Sequence, residues 1–352
     1  MAIHIRSFTG KKYRGLRDVT LKNLGHINVI TGKNNTGKTS LLELITTLDN
    51  PLWGESWVKA VFTRKAGVTV YSELQRMIPF GDNAIEYEFL LGNETEPHHV
   101  RLNSQVAETM VTERELMRLN GFIQTGARKA EYDTPHPAKQ LQLHISFDGN
   151  SREFGVYDKQ TAINTRGNSK ESFIKCAYVS TFTPLVPYGS LLVPLFVDPE
   201  LHDAMIGILR VFDERIDEIN LVENECYVSG KRIPFAIPLS AYGDGMKKAV
   251  LLMAAIVNAR DGIVLVDEFE TFMHMSALPE TYAGLLKAAD KLNVQLFFTS
   301  HNEAAIVSLL KADEYICNNS CLYTLHEEKG QTLVRRLDGA TALDVTSWGV
   351  RL

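Results

Sequence analysis

Cysteine is scarce in this chain, and the four present, Cys176, Cys226, Cys317 and Cys321, include one close pair with no second Cys/His pair at zinc-ligand spacing. That excludes a disulfide framework or a zinc ribbon and fits reduced, structural thiols. Long apolar runs are also missing. No stretch approaches the roughly eighteen residues of a membrane span, and the opening "MAIHIRSFTGKK" lacks the apolar core of a signal peptide. An excess of positive charge is lacking as well: the formal net charge is -5, which argues against bare duplex DNA as a default partner while leaving room for a local basic face. Sustained heptads are absent, so a long coiled-coil arm is not expected. These absences point to a cytoplasmic protein with no membrane partner. At 352 residues and 45% hydrophobic content, it is long enough for two lobes or for one domain with insertions.

What is present is an alternation of strands and helices. Strand-like segments fall at Ile3–Phe8, Val19–Lys22 and His26–Thr31, and a helical apolar spacing covers Lys38–Leu48. "AIEYEFLL" and, more weakly, His98–Leu102 suggest a β meander, closing a first lobe at 1–102. From 103 to 170 the composition turns toward Gln, Thr, Asn, Gly and charge, with only "LQLHISF" and "REFGVY" reading as strands. We expect an insertion here, serving partner recognition. The second lobe, 171–352, begins with the strand "KCAYVS", an amphipathic helix over Pro199–Glu214 and a hairpin within Asn220–Phe235. Helices at Asp244–Ala259, Ala277–Ala289 and Glu303–Leu310 then alternate with the apolar strands "GIVLVD" and "VQLFFTS". Continuous apolar strands separated by helices predict an α/β fold with a buried, mostly parallel central sheet.

Four segments carry chemistry. Gly32-Lys33-Asn34-Asn35-Thr36-Gly37-Lys38-Thr39 fits G-x-x-x-x-G-K-[ST] and stands between a strand and a helix, with Ser40 following. Its glycines let backbone N–H groups curl around phosphates, Lys38 reaches the β- and γ-phosphates of ATP, and Thr39 offers a hydroxyl to Mg²⁺. "GIVLVDEFE" ends an apolar strand in adjacent carboxylates: Asp267 would hold Mg²⁺ and Glu268 would polarise the attacking water as general base. "FFTSHN" delivers His301 to a strand's carboxyl end, where open α/β sheets bind ligands, as a γ-phosphate sensor. In "PLSAYGDGMKK", Ser240, Gly243 and Gly245 precede an apolar helix and leave backbone N–H groups open at its positive end. One chain already has a phosphate loop, so this second one is expected to serve another subunit's nucleotide.

With these four in view, the chain resembles an ABC-type P-loop ATPase of the RecF/SMC-like branch, and most closely the stand-alone ATPases similar to the N-terminal half of OLD (overcoming lysogenization defect) proteins. The likeness rests on "IRSFTGKKYRGLRDVTLKNLGHINVITGKNNTGKTSLLELI", on "LSAYGDGMKK" as a degenerate signature motif, on "VLVDEFETFMHMSALPE" with its histidine at His274, and on "FFTSHNEAAI". It covers about 1–50 and 239–311 and hardly touches the middle. It implies an ABC-type ATPase fold with an antiparallel β subdomain. It also implies that Arg14 approaches the nucleotide, with Lys11 and Lys12 facing solvent or a partner. Three departures from the family are expected: Lys248 stands where Arg is usual, Phe272 and Met273 occupy a loop that often carries smaller residues, and with Leu352 last in the sequence no Toprim nuclease domain is expected after the His301 segment.

The resemblance implies a homodimer or higher homo-oligomer that closes on ATP, hydrolyses it to ADP and phosphate, and regulates a separate effector such as a nuclease or toxin in anti-phage defence. The rival readings are a RecF-like sensor of DNA structure that binds nucleic acid directly, a non-hydrolysing scaffold, and a small-molecule kinase. Glu268 and His301 count against the scaffold, and the paired signature and histidine segments against the kinase.

Overall fold

A computed structural model describes residues 3–62, 69–79, 81–120, 134–160, 172–181, 183, 189–223, 225–328 and 331–347. Parts of the expected insertion, 121–133 and 161–170, lie outside the described residues, as does Leu352. The chain divides into two compact units, one made of 1–7, 21–42 and 174–352 and the other of 8–20 and 43–173.

In the first unit, six strands make a sheet in the order β15 (Gln331–Asp338), β14 (Ser320–Glu328), β3 (Ile27–Gly32), β13 (Gln295–Ser300), β12 (Ile263–Val266) and β8 (Cys176–Val179). All neighbours from β14 to β8 are parallel, and β15 alone is paired antiparallel. The mostly parallel sheet expected from the sequence is therefore present. Its central strands are buried along their whole length, including every residue of β12 and β13, which is why they read as unbroken apolar runs rather than alternations. The helices α5 (Gly189–Val197), α6 (Pro199–Arg210), α7 (Asp244–Asn258), α8 (Leu278–Lys291), α9 (Glu303–Lys311), α10 (Glu314–Asn318) and α11 (Gly339–Ser347) follow the strands. Leu209, Met253, Leu285 and Leu309 from four of them share one core with Ile27, Val264 and Leu296, each such side chain contributing about 1.5–3 kcal/mol by its removal from water. Local chemistry sets the starts. Asp198 caps α6 by accepting from the Glu200 and Leu201 N–H groups, and Asn302 caps α9 by accepting from Ala305. A three-stranded sheet, β11 (Ile237–Pro238), β10 (Glu225–Ser229) and β9 (Glu218–Val222), leads into α7.

The second unit is built on the sheet β2 (Leu16–Leu21), β1 (Ile5–Tyr13), β4 (Ala84–Leu91), β5 (His98–Thr112), β6 (Pro135–Phe147) and β7 (Asn150–Tyr157), with β4 to β7 antiparallel. Helix α1 (Lys38–Thr46) leads from the first unit into the second, which also carries α2 (Gly54–Phe62), α3 (Val70–Met77) and α4 (Glu113–Leu119). In its core Phe8 stacks on Tyr87, and Trp57 and Phe89 meet Tyr87 at tilted angles.

The middle of the chain differs from the expectation of an insertion starting at 103. Strand β5 runs through that position without a break and pairs with β6 from Val100–Phe147 to Thr112–Pro135. The described part of 103–170 thus extends the same sheet as β4. The physical reason is that no residue of β5 from 103 to 110 is buried, so Gln, Thr and Glu stand on strand positions and lower the apolar signal. The first lobe expected at 1–102 is likewise divided, since β3 and the start of α1 belong with 174–352.

Candidate functional site

Parallel pairing brings the carboxyl ends of three strands to one side of the sheet. Ser300 of β13 lies opposite Thr31 of β3, and Val266 of β12 lies opposite Phe298 of β13 and Val179 of β8. The loops that follow β3, β12 and β13 therefore open on one edge of the sheet, the edge used for ligands in this architecture.

The loop after β3 is wound in a conformation that its residues permit. Gly32 and Gly37 have φ of +142° and +93°, and Asn35 is left-handed at +66°. A Cβ on Gly32 would stand 2.3 Å from the Leu325 carbonyl oxygen, so only glycine fits there. Lys38 folds back over the loop, its Nζ donating to the carbonyls of Gly32 at 2.8 Å and Lys33 at 2.9 Å. Thr36 Oγ1 also donates to Lys33 O, at 2.9 Å. Burial holds the Lys38 ammonium below its ordinary pKa, while Asp267, Glu268 and Glu270 act in the opposite sense. Asn34 sits in the same loop, and Thr39 and Ser40 are in the first turn of α1.

Asp267 follows β12 and is the hub. Its Oδ1 accepts from Thr39 Oγ1 at 3.2 Å and from Thr299 Oγ1, and its Oδ2 accepts from Tyr178 OH at 3.5 Å. The chain then turns through Glu268 in a left-handed conformation, φ 51°, a state that costs of order 1–3 kcal/mol for a non-glycine residue. The turn is held because Thr299 Oγ1 accepts the Glu268 N–H at 2.8 Å. Glu268 and His301 are both partly exposed, with Glu268 Oε1 3.7 Å from His301 Nδ1. Glu270, whose side chain is largely enclosed, accepts the His301 backbone N–H at 3.2 Å through Oε1, and places that oxygen 3.5 Å from His301 Nδ1.

The structure thus gathers Gly32, Lys38, Thr39, Asp267, Glu268 and His301 at one edge. Thr299 and Tyr178 join them without having been selected as site residues, and Glu270, which the sequence offers only as an alternative to Glu268 as base, joins them too. A threonine and a tyrosine on apolar strands read as ordinary strand formers, and the only cue to Thr299 was its place two residues before His301. The Thr39 hydroxyl and Asp267 carboxylate form the hard-oxygen pair that Mg²⁺ accepts alongside phosphate and water oxygens, so these residues fit the ion. Among the described residues, no group of three or more His, Cys, Asp or Glu forms a metal site made by protein alone.

Ser240, Gly243 and Gly245 are not joined to this cluster by any hydrogen bond among the described residues. Ser240 Oγ donates instead to Glu225 Oε1, Gly243 is the N-cap of α7 with no side-chain cap, and a Cβ on Gly243 would meet open space. Lys248 Nζ donates to Thr271 O at 2.9 Å and lies 5.2 Å from the Phe272 ring centroid, so the point charge here joins α7 to the segment after Asp267. Phe272 and Met273 are core residues, which accounts for their size.

Arg14 belongs to the second unit. Its Nε donates to Glu43 Oε2 at 2.9 Å, and Tyr13 OH donates to the same oxygen at 3.0 Å. Lys11 pairs with Glu88 at 2.6 Å and Lys12 with Asp82 at 2.9 Å. Within "KKYRGLR", Lys11, Lys12 and Arg14 are each ion-paired inside their own unit, and the Lys11 and Lys12 side chains remain partly exposed.

Among solved structures, an SMC head crystallised with the C-winged helix domain of ScpA matches 97% of this chain and 100% of its own, at 11% identity and a TM-score of 0.51. The fold is similar to an SMC head. Residues 208–308 match the family described as "AAA domain, putative AbiEii toxin, Type IV TA system", a span that holds Ser240, Asp267, Glu268 and His301. A Helicobacter pylori protein named ATP/GTP phosphatase is 22% identical over 330 residues, covering 86% of each chain. An uncharacterised Methanocaldococcus jannaschii protein is 51% identical over 43 residues, 12% of this chain and 17% of its own.

Proposed function

We propose that this SMC-head-like chain is an ATP-binding and ATP-hydrolysing ABC-type switch. The observation that carries the reading is the convergence of Lys38, Thr39, Asp267, Glu268 and His301 on one sheet edge. The likeness to the protein named ATP/GTP phosphatase supports hydrolysis. In this reading the P-loop N–H groups and Lys38 hold the β- and γ-phosphates, and Thr39 and Asp267 hold Mg²⁺. When bound, Mg²⁺ would neutralise charge on the phosphate oxygens. Glu268 takes a proton from the attacking water, Thr299 keeps Glu268 in its turn, and His301 contacts the γ-phosphate.

Each site is completed by a second copy, whose Ser240–Gly245 segment meets the γ-phosphate. The open space at Gly243 supports this, because packing inside the chain does not require a glycine there. The closed pair regulates a separate effector, a nuclease or toxin, in an OLD-like anti-phage setting. The AbiEii description matched by 208–308 is consistent with a toxin or defence context. Glu88 and Asp82 beside Lys11 and Lys12 lower the positive field that the rival DNA-sensing reading needs.

The test is Mg²⁺-dependent ATP hydrolysis by the full chain beside Lys38→Ala. The variant is expected to bind ATP more weakly and to lose turnover. Unchanged ATP affinity would remove the P-loop assignment.

A further inference from the structure

Glu270 has no part in the scheme above, yet its surroundings are unlike those of a surface carboxylate. It lies in the 3-10 turn Phe269–Phe272, whose Phe269 and Phe272 are both buried in the core, so the turn that carries it is anchored on either side. Its side chain is 6% exposed. One oxygen, Oε1, serves His301 twice: it accepts the backbone N–H at 3.2 Å and faces ring Nδ1 at 3.5 Å. The other, Oε2, is buried with no hydrogen-bond partner. The nearby Tyr282 hydroxyl does not satisfy it, because that hydroxyl donates to Phe269 O at 3.2 Å. A buried, half-satisfied carboxylate is costly, and an apolar residue would fill the same turn without that cost.

We propose that Glu270 is the positioning residue for His301, a role that rests on the ATPase reading. Its bond to the backbone fixes where the His301 main chain leaves β13. Its charge turns Nδ1 inward, so that Nε2 is the nitrogen left for a phosphate oxygen. Glu268 also faces Nδ1, at 3.7 Å, but it is partly exposed and makes no bond to the His301 backbone, which leaves it free for the attacking water. The two carboxylates thus divide the work: Glu268 acts on water and Glu270 acts through His301.

The proposal is tested by a double-variant cycle on the full chain with ATP and Mg²⁺. Glu270→Ala and His301→Ala should each lower kcat about a hundredfold with KM for ATP changed by no more than about twofold. The double variant should be no slower than either single one, because Glu270 has nothing left to position. Losses that multiply to about ten-thousandfold would overturn the proposal. A second readout does not depend on turnover. In nucleotide-free protein the ¹⁵N ring signals of His301 should change in Glu270→Ala, and unchanged signals would equally overturn it. If the wild-type chain failed to hydrolyse ATP, the ATPase reading would fall while the ring signals still decided whether Glu270 orients His301. Should Glu270→Ala not fold, Glu270→Gln keeps the volume and the backbone acceptor, and its ring-signal change decides the same question.

Discussion

Thr39 Oγ1 lies 3.2 Å from Asp267 Oδ1, although 228 residues separate them in the chain. The contact exists because β3 and β12 flank β13 in a parallel register, and a third residue from β13 joins them: Thr299 donates to the same Asp267 oxygen and accepts the Glu268 N–H. One hydroxyl thereby ties the proposed metal ligand to the proposed base.

Thr299→Val keeps the β-branched shape and removes that hydroxyl. It leaves the Glu268 N–H without its acceptor and Asp267 with one donor fewer, so stability should fall by about 1–3 kcal/mol in chemical denaturation. ATP turnover should fall further than ATP binding, since the left-handed turn at Glu268 loses its tether. Thr299→Ser should restore both. Wild-type turnover in the valine variant would show that the bridge is dispensable.

Why the P-loop, Asp267, Glu268 and His301 were legible while Thr299 was not follows from the range of the signals. Gly32 to Thr39 and the strand before Asp267 are local patterns whose chemistry is written in consecutive residues. The role of Thr299 depends on β13 lying between β3 and β12, which spacing along the chain does not encode. The β14–β15 hairpin gives no clear sequence signal for a related reason. Four successive residues of β14 are buried where it pairs with β3, while β15 is mostly solvated, so neither shows a clean alternation. Resemblance implied that Arg14 approaches the nucleotide, and the structure places its guanidinium against Glu43, a partner that only the folded second unit supplies.

His26 offers a prediction on pH. Burial pushes its pKa down from 6.5 to about 4, with Asp290 opposing the shift and His4 adding to it. The folded state therefore keeps this imidazole neutral at pH values where the unfolded chain is already protonated. Its contribution to stability is intact above about pH 6.5 and declines as pH falls toward about 4, by about 3 kcal/mol in all. Denaturant midpoints measured across that window should show a steeper decline in the wild type than in His26→Leu. Parallel curves would mean that His26 takes up its proton in the folded state as readily as in the unfolded one.

A deletion tests what the extended ribbon contributes. Removing 106–137 leaves Gln105 paired with Gln142, so 138–141 can close β5 onto β6 as a short turn. What is lost is the small cluster of Val111, Leu116 and Ala138, together with the pairing of Gln140 and Leu141 to β7 and the burial of Leu141. The shortened protein should fold and keep basal ATP hydrolysis, while losing any response to its effector if this ribbon serves recognition. Global unfolding, read by loss of a cooperative thermal transition, would show that the ribbon supports the second unit.

The last prediction concerns the composite site. In the proposed ATPase, Lys38 and its loop would hold one face of the triphosphate, and within the chain Ser240 is held by Glu225 rather than by the P-loop. If a second copy supplies its Ser240, a Lys38→Ala subunit paired with a Ser240→Arg subunit forms one site bearing both lesions and one bearing neither. Each variant alone should be inactive, yet their mixture should recover up to about a quarter of wild-type turnover if subunits exchange freely and sites act independently. Coupling between sites would lower that figure, so association is measured as well. Glu268→Gln, which retains the shape of the base but cannot accept the water's proton, should accumulate as an ATP-bound dimer or larger assembly in light scattering. Adding Ser240→Arg to it should weaken that ATP-dependent assembly. Full-rate hydrolysis by a dilute monomer would show instead that one chain holds every group the reaction needs, and the Ser240–Gly245 segment would then have no nucleotide to meet.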